Sequence, residues 1–200
     1  MQPSTWNEDL SDQLNAASDA DLVRRIHQSS SSSLEAREAI GILYDRYHAH
    51  IFRYLWMRVS DFQQAEDLTG EVFTRMVASL ARYQERELPF QAWLYRIAHN
   101  LLVDQYRKNG TGQRISLDEM KELPMEEHDL VASVDKRLLI EEVRSAMQRL
   151  DALQKDVIVL RFLIGLPIRD VALILDKTIP TIKALQHRGL RDLRLFLEST

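Results

Sequence analysis

The chain has 200 residues, of which 45% are hydrophobic, so it can build one ordinary domain or two small helical ones. This composition excludes a disordered or collagen-like chain, and the absence of cysteine excludes disulfides, thiolate metal sites and cysteine nucleophiles. No apolar run approaches the roughly 20 residues that cross a bilayer, and the polar N-terminus lacks a signal-peptide pattern. We therefore expect a cytoplasmic protein without membrane insertion.

The formal net charge of −4 argues weakly against nucleic-acid binding, but the charges are unevenly distributed. Acids predominate in the first 21 residues and again over residues 110–135. Toward the C-terminus the sign reverses, and Asp192 is the one acid among the bases Lys177, Lys183, Arg188, Arg191 and Arg194. This distribution places positive charge where a helix could meet DNA.

Apolar residues recur at intervals of three and four along almost the whole chain, which predicts an all-α protein. Two helical blocks emerge, and the segment Asn-Gly-Thr-Gly at 109–112 breaks the pattern between them. The acidic stretch that follows has too little apolar content to pack. We therefore predict an acidic N-terminal extension (1–20), a first helical domain (21–108), a flexible acidic linker (109–135) and a second helical domain (136–200).

In the first block, the helix predicted from Gln63 to Arg82 exposes Asp67 and Glu71, four residues apart. Like charges at this spacing disfavour a helix by roughly 0.2–0.5 kcal/mol, and Gly70 between them costs on the order of 1 kcal/mol relative to alanine. A face that carries both costs suggests a surface kept for a basic partner, with a solvated acidic face as the alternative. The predicted core positions of this helix are Leu68, Val72, Met76 and Leu80.

A short loop from Tyr83 to Pro89 leads into the most regular helix, Phe90 to Lys108, and could form a small pocket where the two helices converge. The apolar face of this second helix consists of Phe90, Trp93, Leu94, Ile97, Ala98, Leu101 and Leu102. Its opposite side presents Arg96, Asn100 and Arg107, with His99 and Lys108 beside them. These side chains offer donors for phosphates and an amide for a base edge, and a solvated face is again the alternative.

The residues of the first block resemble the second conserved region of the extracytoplasmic-function (ECF) sigma factors of bacterial RNA polymerase. The similarity lies in the sequences LYDRY (43–47), AEDLTGEVF (65–73) and WLYRIAHN (93–100). The resemblance implies that Glu66, Asp67 and Glu71 face the clamp coiled coil of the largest polymerase subunit. It also implies that the minus-ten promoter element is contacted by Tyr83, Phe90, Arg96, His99, Asn100, Arg107 and Lys108, with the loop taking up an extruded base. Gly70 departs from the glutamine of many relatives.

The second block begins with a capping signal, Asp151 followed by Gln154, and its first helix ends at Gly165. Two further helices are predicted, from Ile168 to Leu175 and from Ile179 to Leu197, and their spacing is that of a helix-turn-helix. The three diagnostic positions of that motif are occupied by a small residue at the helix crossing, a residue that accepts a left-handed backbone and a branched core residue: Ala172, Asp176 and Ile182.

The last helix is predicted to turn Ile182, Leu185, Leu190 and Leu193 toward the core. Its outward residues, which would face the major groove, are Thr181, Lys183, Ala184, His187, Arg188 and Arg191. The runs VLRF (159–162), VALIL (171–175) and TIK (181–183) resemble the fourth region of the same sigma factors, which implies that this helix reads the minus-thirty-five element. Pro180 and Gly189 depart from the usual glycine and alanine of the family.

The two resemblances together imply a sigma factor that directs core RNA polymerase to promoters, assists their melting and initiates transcription. The implied partners are core polymerase, through its clamp coiled coil and flap region, promoter DNA and an inhibitory anti-sigma factor. The alternative is a self-sufficient helix-turn-helix regulator that binds an operator. An enzyme is disfavoured, since the sequence contains no phosphate-cradling glycine loop, zinc-protease motif or serine-elbow motif, and we expect no cofactor or metal.

Overall fold

The computed structural model describes residues 15–29, 33–59, 61–86, 88–108 and 142–198, and every regular element in these ranges is helical. The predicted all-α class is therefore confirmed. The first unit contains α1 (Asp19–Gln28), α2 (Leu34–Trp56), α3 (Phe62–Leu80) and α4 (Phe90–Lys108). The second unit contains α5, whose described part covers residues 142–148, α6 (Ala152–Ile158), α7 (Ile168–Ile174) and α8 (Ile179–Glu198). The predicted linker and most of the predicted N-terminal extension lie outside the described residues.

Side-chain caps fix where the helices begin. In the first unit, Ser18 Oγ accepts from the N–H of Asp21 at 3.2 Å, and Ser33 Oγ accepts from the N–H of Ala36 at 3.1 Å. In the second unit, the N–H of Asp151 donates to Gln154 Oε1 at 3.2 Å, which confirms the predicted capping signal. Gln154 also donates from Nε2 to Asp192 Oδ2 at 3.0 Å, so the same side chain ties the start of α6 to α8.

The core of the first unit follows the predicted apolar stripes. All four predicted core residues of α3 are buried, and Leu94, Ala98 and Leu102 of α4 are fully covered. Trp93 and Ile97 are only half-buried. Tyr95, which was not among the predicted core residues, is completely buried, and its ring lies edge-on to that of Tyr54 of α2, with centroids 5.5 Å apart. Helix α7 of the second unit also packs against α4. Helix α4 is thus buried on two sides rather than one.

Helix α6 of the second unit ends in a π-helical turn. Residues Val159–Leu163 continue α6, and the N–H of Ile164 donates to the carbonyl of Val159 at 3.0 Å. Gly165 then adopts a positive φ of 82°, which ends the helix where the sequence predicted. The periodicity of the sequence gave no indication of the π-helical turn.

The predicted helix-turn-helix geometry is present at each of its diagnostic positions. Asp176 has a φ of 52°, the left-handed conformation expected for the turn, and the N–H of Lys177 donates to the carbonyl of Ala172 at 2.9 Å. Ala172 and Ile182 are both buried. These positions confirm the helix-turn-helix.

The prediction that Leu190 faces the core is wrong, since its side chain is 41% exposed. Gly189 takes the buried position instead, and a Cβ atom added there would lie 3.1 Å from Ile158 Cγ1. The close approach of α8 to α6 at this glycine turns the next residue outward. Leu193 is half-buried, as an end-of-helix core residue often is.

The two units share one continuous apolar core, in which α7 packs against α4. Arg144 of α5 also stacks over the ring of Trp56, with its guanidinium carbon 3.8 Å from the ring centroid. Among the described helices, none is long and apolar enough to span a membrane.

Gly70 offers a test of the helical backbone of α3. It is exposed in the middle of α3, and a Cβ atom added there would meet no atom within 4 Å. We therefore expect Gly70→Ala to raise the free energy of unfolding by about 0.5–1 kcal/mol, because alanine favours a helix more than glycine does. Urea denaturation measures the change.

Gly165→Ala is the matched control, because the positive φ of Gly165 disfavours any L side chain. This substitution should lower the free energy of unfolding by roughly 1–2 kcal/mol. Equal effects of the two substitutions would contradict the backbone conformations described here.

Candidate functional site

Three carboxylates occupy the exposed side of α3. Glu66, Asp67 and Glu71 all point to solvent, as the sequence predicted for Asp67 and Glu71. Asp67 Oδ1 accepts from Gln63 Nε2 at 3.2 Å, and Glu71 Oε1 pairs with Arg75 Nε at 2.8 Å. Because Glu71 is 46% exposed, this surface ion pair contributes little to stability and leaves the carboxylate available to a partner. We call these three residues the acidic face.

A cavity of about 200 Å³ lies where the end of α3 meets the start of α4, as the loop between them predicted. Tyr83 and Trp93 line it with ring centroids 4.5 Å apart, and Tyr83 Oη donates to the carbonyl of Leu88 at 2.8 Å. Arg96 supplies a cation at the rim, and Leu173 of α7 closes one side. The arrangement combines aromatic surface, a guanidinium and a size suited to a small planar group.

The structure separates the residues that the sequence assigned to the minus-ten element. Arg96, Asn100 and Arg107 are exposed along α4, whereas Tyr83 and Phe90 are buried in and beneath the cavity wall. His99 is only 12% exposed, because it is turned toward the second unit. Lys108 is the last residue of α4, and its side chain lies outside the described part of the structure.

Trp93 is a cavity residue that sequence reasoning assigned to the core alone. Its indole ring is half-buried and lies against both Tyr83 and Phe90, with a centroid separation of 5.6 Å from the latter. The signal for this role was its place one turn into α4, directly beside the predicted loop.

A buried polar cluster joins the two units around the carboxylate of Asp156. Arg58, just past the end of α2, brings Nε to 2.8 Å from Asp156 Oδ1, and their side chains are 4% and 2% exposed. Tyr54 Oη donates to the same oxygen at 3.3 Å, and His99 Nδ1 lies 3.6 Å from Asp156 Oδ2. No sequence signal distinguished Arg58 or Asp156 from the solvated charges of an amphipathic helix.

Burial controls the charges of the basic groups in this cluster. It lowers the pKa of His99, although Asp156 opposes the shift, so the imidazole is neutral at pH 7. It also lowers the pKa of Lys155 to about 8, and Lys155 Nζ donates to Gln148 Oε1 at 2.6 Å. The cluster therefore buries cationic groups that water would solvate better.

Helix α8 presents an exposed polar and basic stripe. Thr178 Oγ1 caps the helix by accepting from the N–H of Thr181 at 3.3 Å. Arg191 pairs with Asp192 at 3.0 Å, and Arg188 Nε donates to the carbonyl of Ala184 at 3.4 Å. The stripe consists of Thr181, Lys183, Ala184, His187, Arg188 and Arg191. Thr181 is half-buried, and the other five residues are exposed. Its geometry suits docking in a groove of matching negative charge.

Within the described ranges, no three side chains of His, Cys, Asp or Glu come together as a metal site. The candidate surfaces are the acidic face of α3, the cavity with Arg96 at its rim and the basic stripe of α8.

Two family models match the chain, in the order of the two units. The model of Sigma-70 region 2 matches residues 43–111, which include α3, the cavity and α4. The model of Sigma-70, region 4 matches residues 146–195, which include the helix-turn-helix.

Curated relatives are similar over most of the chain. The ECF RNA polymerase sigma factor BldN of Streptomyces coelicolor is 32% identical over 187 residues, which cover 90% of this chain and 69% of that relative. The ECF RNA polymerase sigma factor SigX of Bacillus subtilis is 30% identical over 168 residues, covering 80% of this chain and 84% of that one.

Solved structures share the fold. CnrH in complex with the cytosolic domain of CnrY aligns with a TM-score of 0.65 and 21% identity, over 90% of this chain and 97% of that chain. The sigma factor RpoE in complex with the anti-sigma factor NepR from Bartonella quintana aligns with a TM-score of 0.65 and 22% identity, over 78% and 94%.

The hydroxyl of Tyr83 provides a test of the cavity wall. Tyr83→Phe keeps the ring but leaves the buried carbonyl of Leu88 without this donor, so we expect the free energy of unfolding to fall by about 1–3 kcal/mol. Tyr44→Phe is the control, because Tyr44 is exposed and its ring contact with Phe73 is retained. Equal stability of Tyr83→Phe and wild type in urea denaturation would contradict the hydrogen bond.

Proposed function

The chain belongs to the ECF RNA polymerase sigma factors, and on this premise we propose how its surfaces direct core RNA polymerase to specific promoters and start transcription there. The observation that carries the proposal is the order of the surfaces. An exposed acidic face and a basic-rimmed cavity lie in the region 2 match, and an exposed basic helix lies in the region 4 match.

The acidic face is the proposed docking surface for core polymerase. Glu66, Asp67 and Glu71 would face the clamp coiled coil of the largest subunit, where positive charge on the partner would complement them. Charges of opposite sign steer two proteins together and fix their register, even where each pair adds little affinity. Gly70 leaves a gap between these carboxylates in which a partner side chain could lie.

Helix α4 and the cavity are the proposed reader of the minus-ten element. Arg96, Asn100, Arg107 and Lys108 would contact phosphates and base edges, since Arg is suited to phosphates and Asn to adenine. A base that leaves the opening duplex loses its stacking, and the aromatic surface of Tyr83 and Trp93 over Phe90 would replace it. His99 would join this surface when the second unit moves away.

Helix α8 is the proposed reader of the minus-thirty-five element. In a helix-turn-helix the second helix lies in the major groove, where Thr181 and His187 can bond base edges and Ala184 can contact a thymine methyl. Lys183, Arg188 and Arg191 would neutralise phosphates. The overall charge of −4 does not oppose this, because the acids are concentrated elsewhere in the chain.

The two readers would act together through the polymerase. We propose a first domain over 21–108 and a second over 136–200, joined by the segment 109–135, so that one weak DNA contact raises the effective concentration of the other. The flap region of polymerase is the proposed second contact, and an anti-sigma factor, as in the RpoE complex with NepR, is a proposed inhibitory partner. A chain that acts on polymerase would be located in the cytoplasm. It would act there as a specificity subunit and not as an enzyme.

A self-sufficient operator-binding regulator is the alternative function, and family membership does not favour it. It would account for α8 but gives no role to the acidic face. Such a regulator would bind its DNA site tightly without polymerase, which a gel shift with the purified chain distinguishes.

Charge reversal of the acidic face tests polymerase docking. We expect Asp67→Lys with Glu71→Lys to weaken binding to core polymerase by at least about tenfold, because like charges would then meet at the interface. Fluorescence titration of labelled chain with core enzyme measures the affinity, and circular dichroism verifies the fold.

The control is the double variant Glu85→Lys with Glu198→Lys, which makes the same change in net charge at exposed positions away from the acidic face. It should bind core polymerase as wild type does. Equal losses in the two double variants would refute the proposed docking surface.

Removal of one cation from α8 tests promoter contact. Arg188→Gln in the holoenzyme should weaken promoter binding and reduce the slope of log affinity against log salt by about 1, as expected for one lost phosphate contact. Arg24→Gln removes an exposed cation from α1 and should change neither quantity. Filter binding over a salt series measures both, and an unaltered slope for Arg188→Gln would contradict the contact.

A further inference from the structure

An arginine on the surface of α3 joins this helix to α4. Arg75 brings Nε to 2.8 Å from Glu71 Oε1 on its own helix, and Nη1 to 3.8 Å from Asp104 Oδ2 on α4. A guanidinium presents its N–H donors in a planar fork and stays protonated in proteins, so one side chain can serve two carboxylates. Arg75 therefore places a permanent positive charge between the two helices.

Asp104 lies where a carboxylate would oppose the binding of DNA. It is the one acidic residue in the sequence of α4. It follows Asn100 by four residues and precedes Arg107 by three, and residues at these spacings are neighbours on the surface of a helix. Its side chain is 47% exposed, beside the exposed Asn100 and Arg107. An uncompensated carboxylate here would repel the phosphates that its neighbours are proposed to contact.

The ion pairs of Arg75 contribute little to the stability of the fold. The side chains of Arg75, Glu71 and Asp104 are 44%, 46% and 47% exposed, and water and salt weaken ion pairs between exposed groups. Glu71 nevertheless orients the guanidinium, because the hydrogen bond from Nε holds the side chain so that Nη1 lies toward α4. The main effect of this arrangement is therefore local: a positive charge is held beside the carboxylate of Asp104.

We propose that Arg75 is a positioning residue for the minus-ten element, which neutralises Asp104 and so allows a nucleic-acid backbone to approach Asn100 and Arg107 closely. The inference rests on the proposed function, because it takes α4 as the minus-ten reader. Arg75 acts through Asp104 and does not itself have to touch the DNA. Loss of Arg75 should therefore weaken DNA binding mainly while Asp104 carries its charge.

A double-variant cycle tests this role in the holoenzyme. The full chain and its variants are combined with saturating core polymerase, and fluorescence anisotropy gives the affinity for a labelled single-stranded DNA of mixed sequence, with core enzyme alone as the background. In the wild-type chain, Asp104→Asn should raise this affinity by less than about twofold, because Arg75 already offsets the charge. In the Arg75→Gln background the same substitution should raise it about fivefold, the effect of two unit charges about 4 Å apart in water. The difference isolates the interaction between the two residues.

Arg96→Gln provides the matched control background. It removes an exposed cation from α4 itself, eight residues before Asp104, and should weaken DNA binding. Because eight residues span about 12 Å along a helix, Asp104→Asn should give the same small gain in this background as in the wild-type chain. Arg75→Lys keeps a positive charge within reach of Asp104, so the gain should stay small there as well.

Stability and salt dependence separate this role from simpler explanations. Arg75→Gln should unfold at nearly the same urea concentration as wild type, since its ion pairs are exposed. The extra gain in this background should shrink as salt is added, because salt screens exposed charges.

Equal gains from Asp104→Asn in the Arg75→Gln and Arg96→Gln backgrounds would refute the role of Arg75 alone. Unfolding of Arg75→Gln, with no difference between Arg75→Lys and Arg96→Gln in DNA affinity, would assign Arg75 to the fold and refute it as well. A wild-type holoenzyme that binds the DNA no better than core enzyme alone would refute the proposed function, and this inference with it.

Discussion

One buried carboxylate, that of Asp156, joins the two helical units. It accepts from Arg58 and Tyr54 of the first unit and lies 3.6 Å from His99. A buried ion pair contributes little net stability, since the lost hydration of both ions opposes their attraction. Most of the favourable energy of the contact must therefore come from the apolar core that the units share.

The net exposed charges of α3 and α8 are of opposite sign. Acids crowd the exposed side of α3 although they and Gly70 weaken the helix, and bases crowd the exposed side of α8. Both faces tolerate this because they are solvated, so that counter-ions and water screen like charges. Helix α4 differs, because its residues face the core, the second unit and the solvent in turn.

The sequence predicted the features that depend on local pattern. Apolar periodicity predicted the helices, the buried face of α3 and most of the buried face of α4. The turn of the helix-turn-helix was predicted because Asp176 tolerates a left-handed backbone. The sequence could not predict the burial of His99, because the second unit covers it and no spacing in α4 reveals that neighbour. It also missed the burial of Tyr95, whose ring lies against Tyr54 of α2. The burial of Arg58 and Asp156 was not predicted either, because a charged residue is normally solvated. Leu190 was misplaced because the close approach at Gly189 is a tertiary feature.

The account depends most directly on the partnership with core polymerase, and transcription in vitro measures it. Purified chain and core enzyme that lacks any sigma subunit would be mixed with a genomic library, and the start sites would be mapped. The account predicts new starts that depend on this chain and share two upstream elements, one for each reader. Absence of such starts, together with tight binding of DNA by the chain alone, would contradict it.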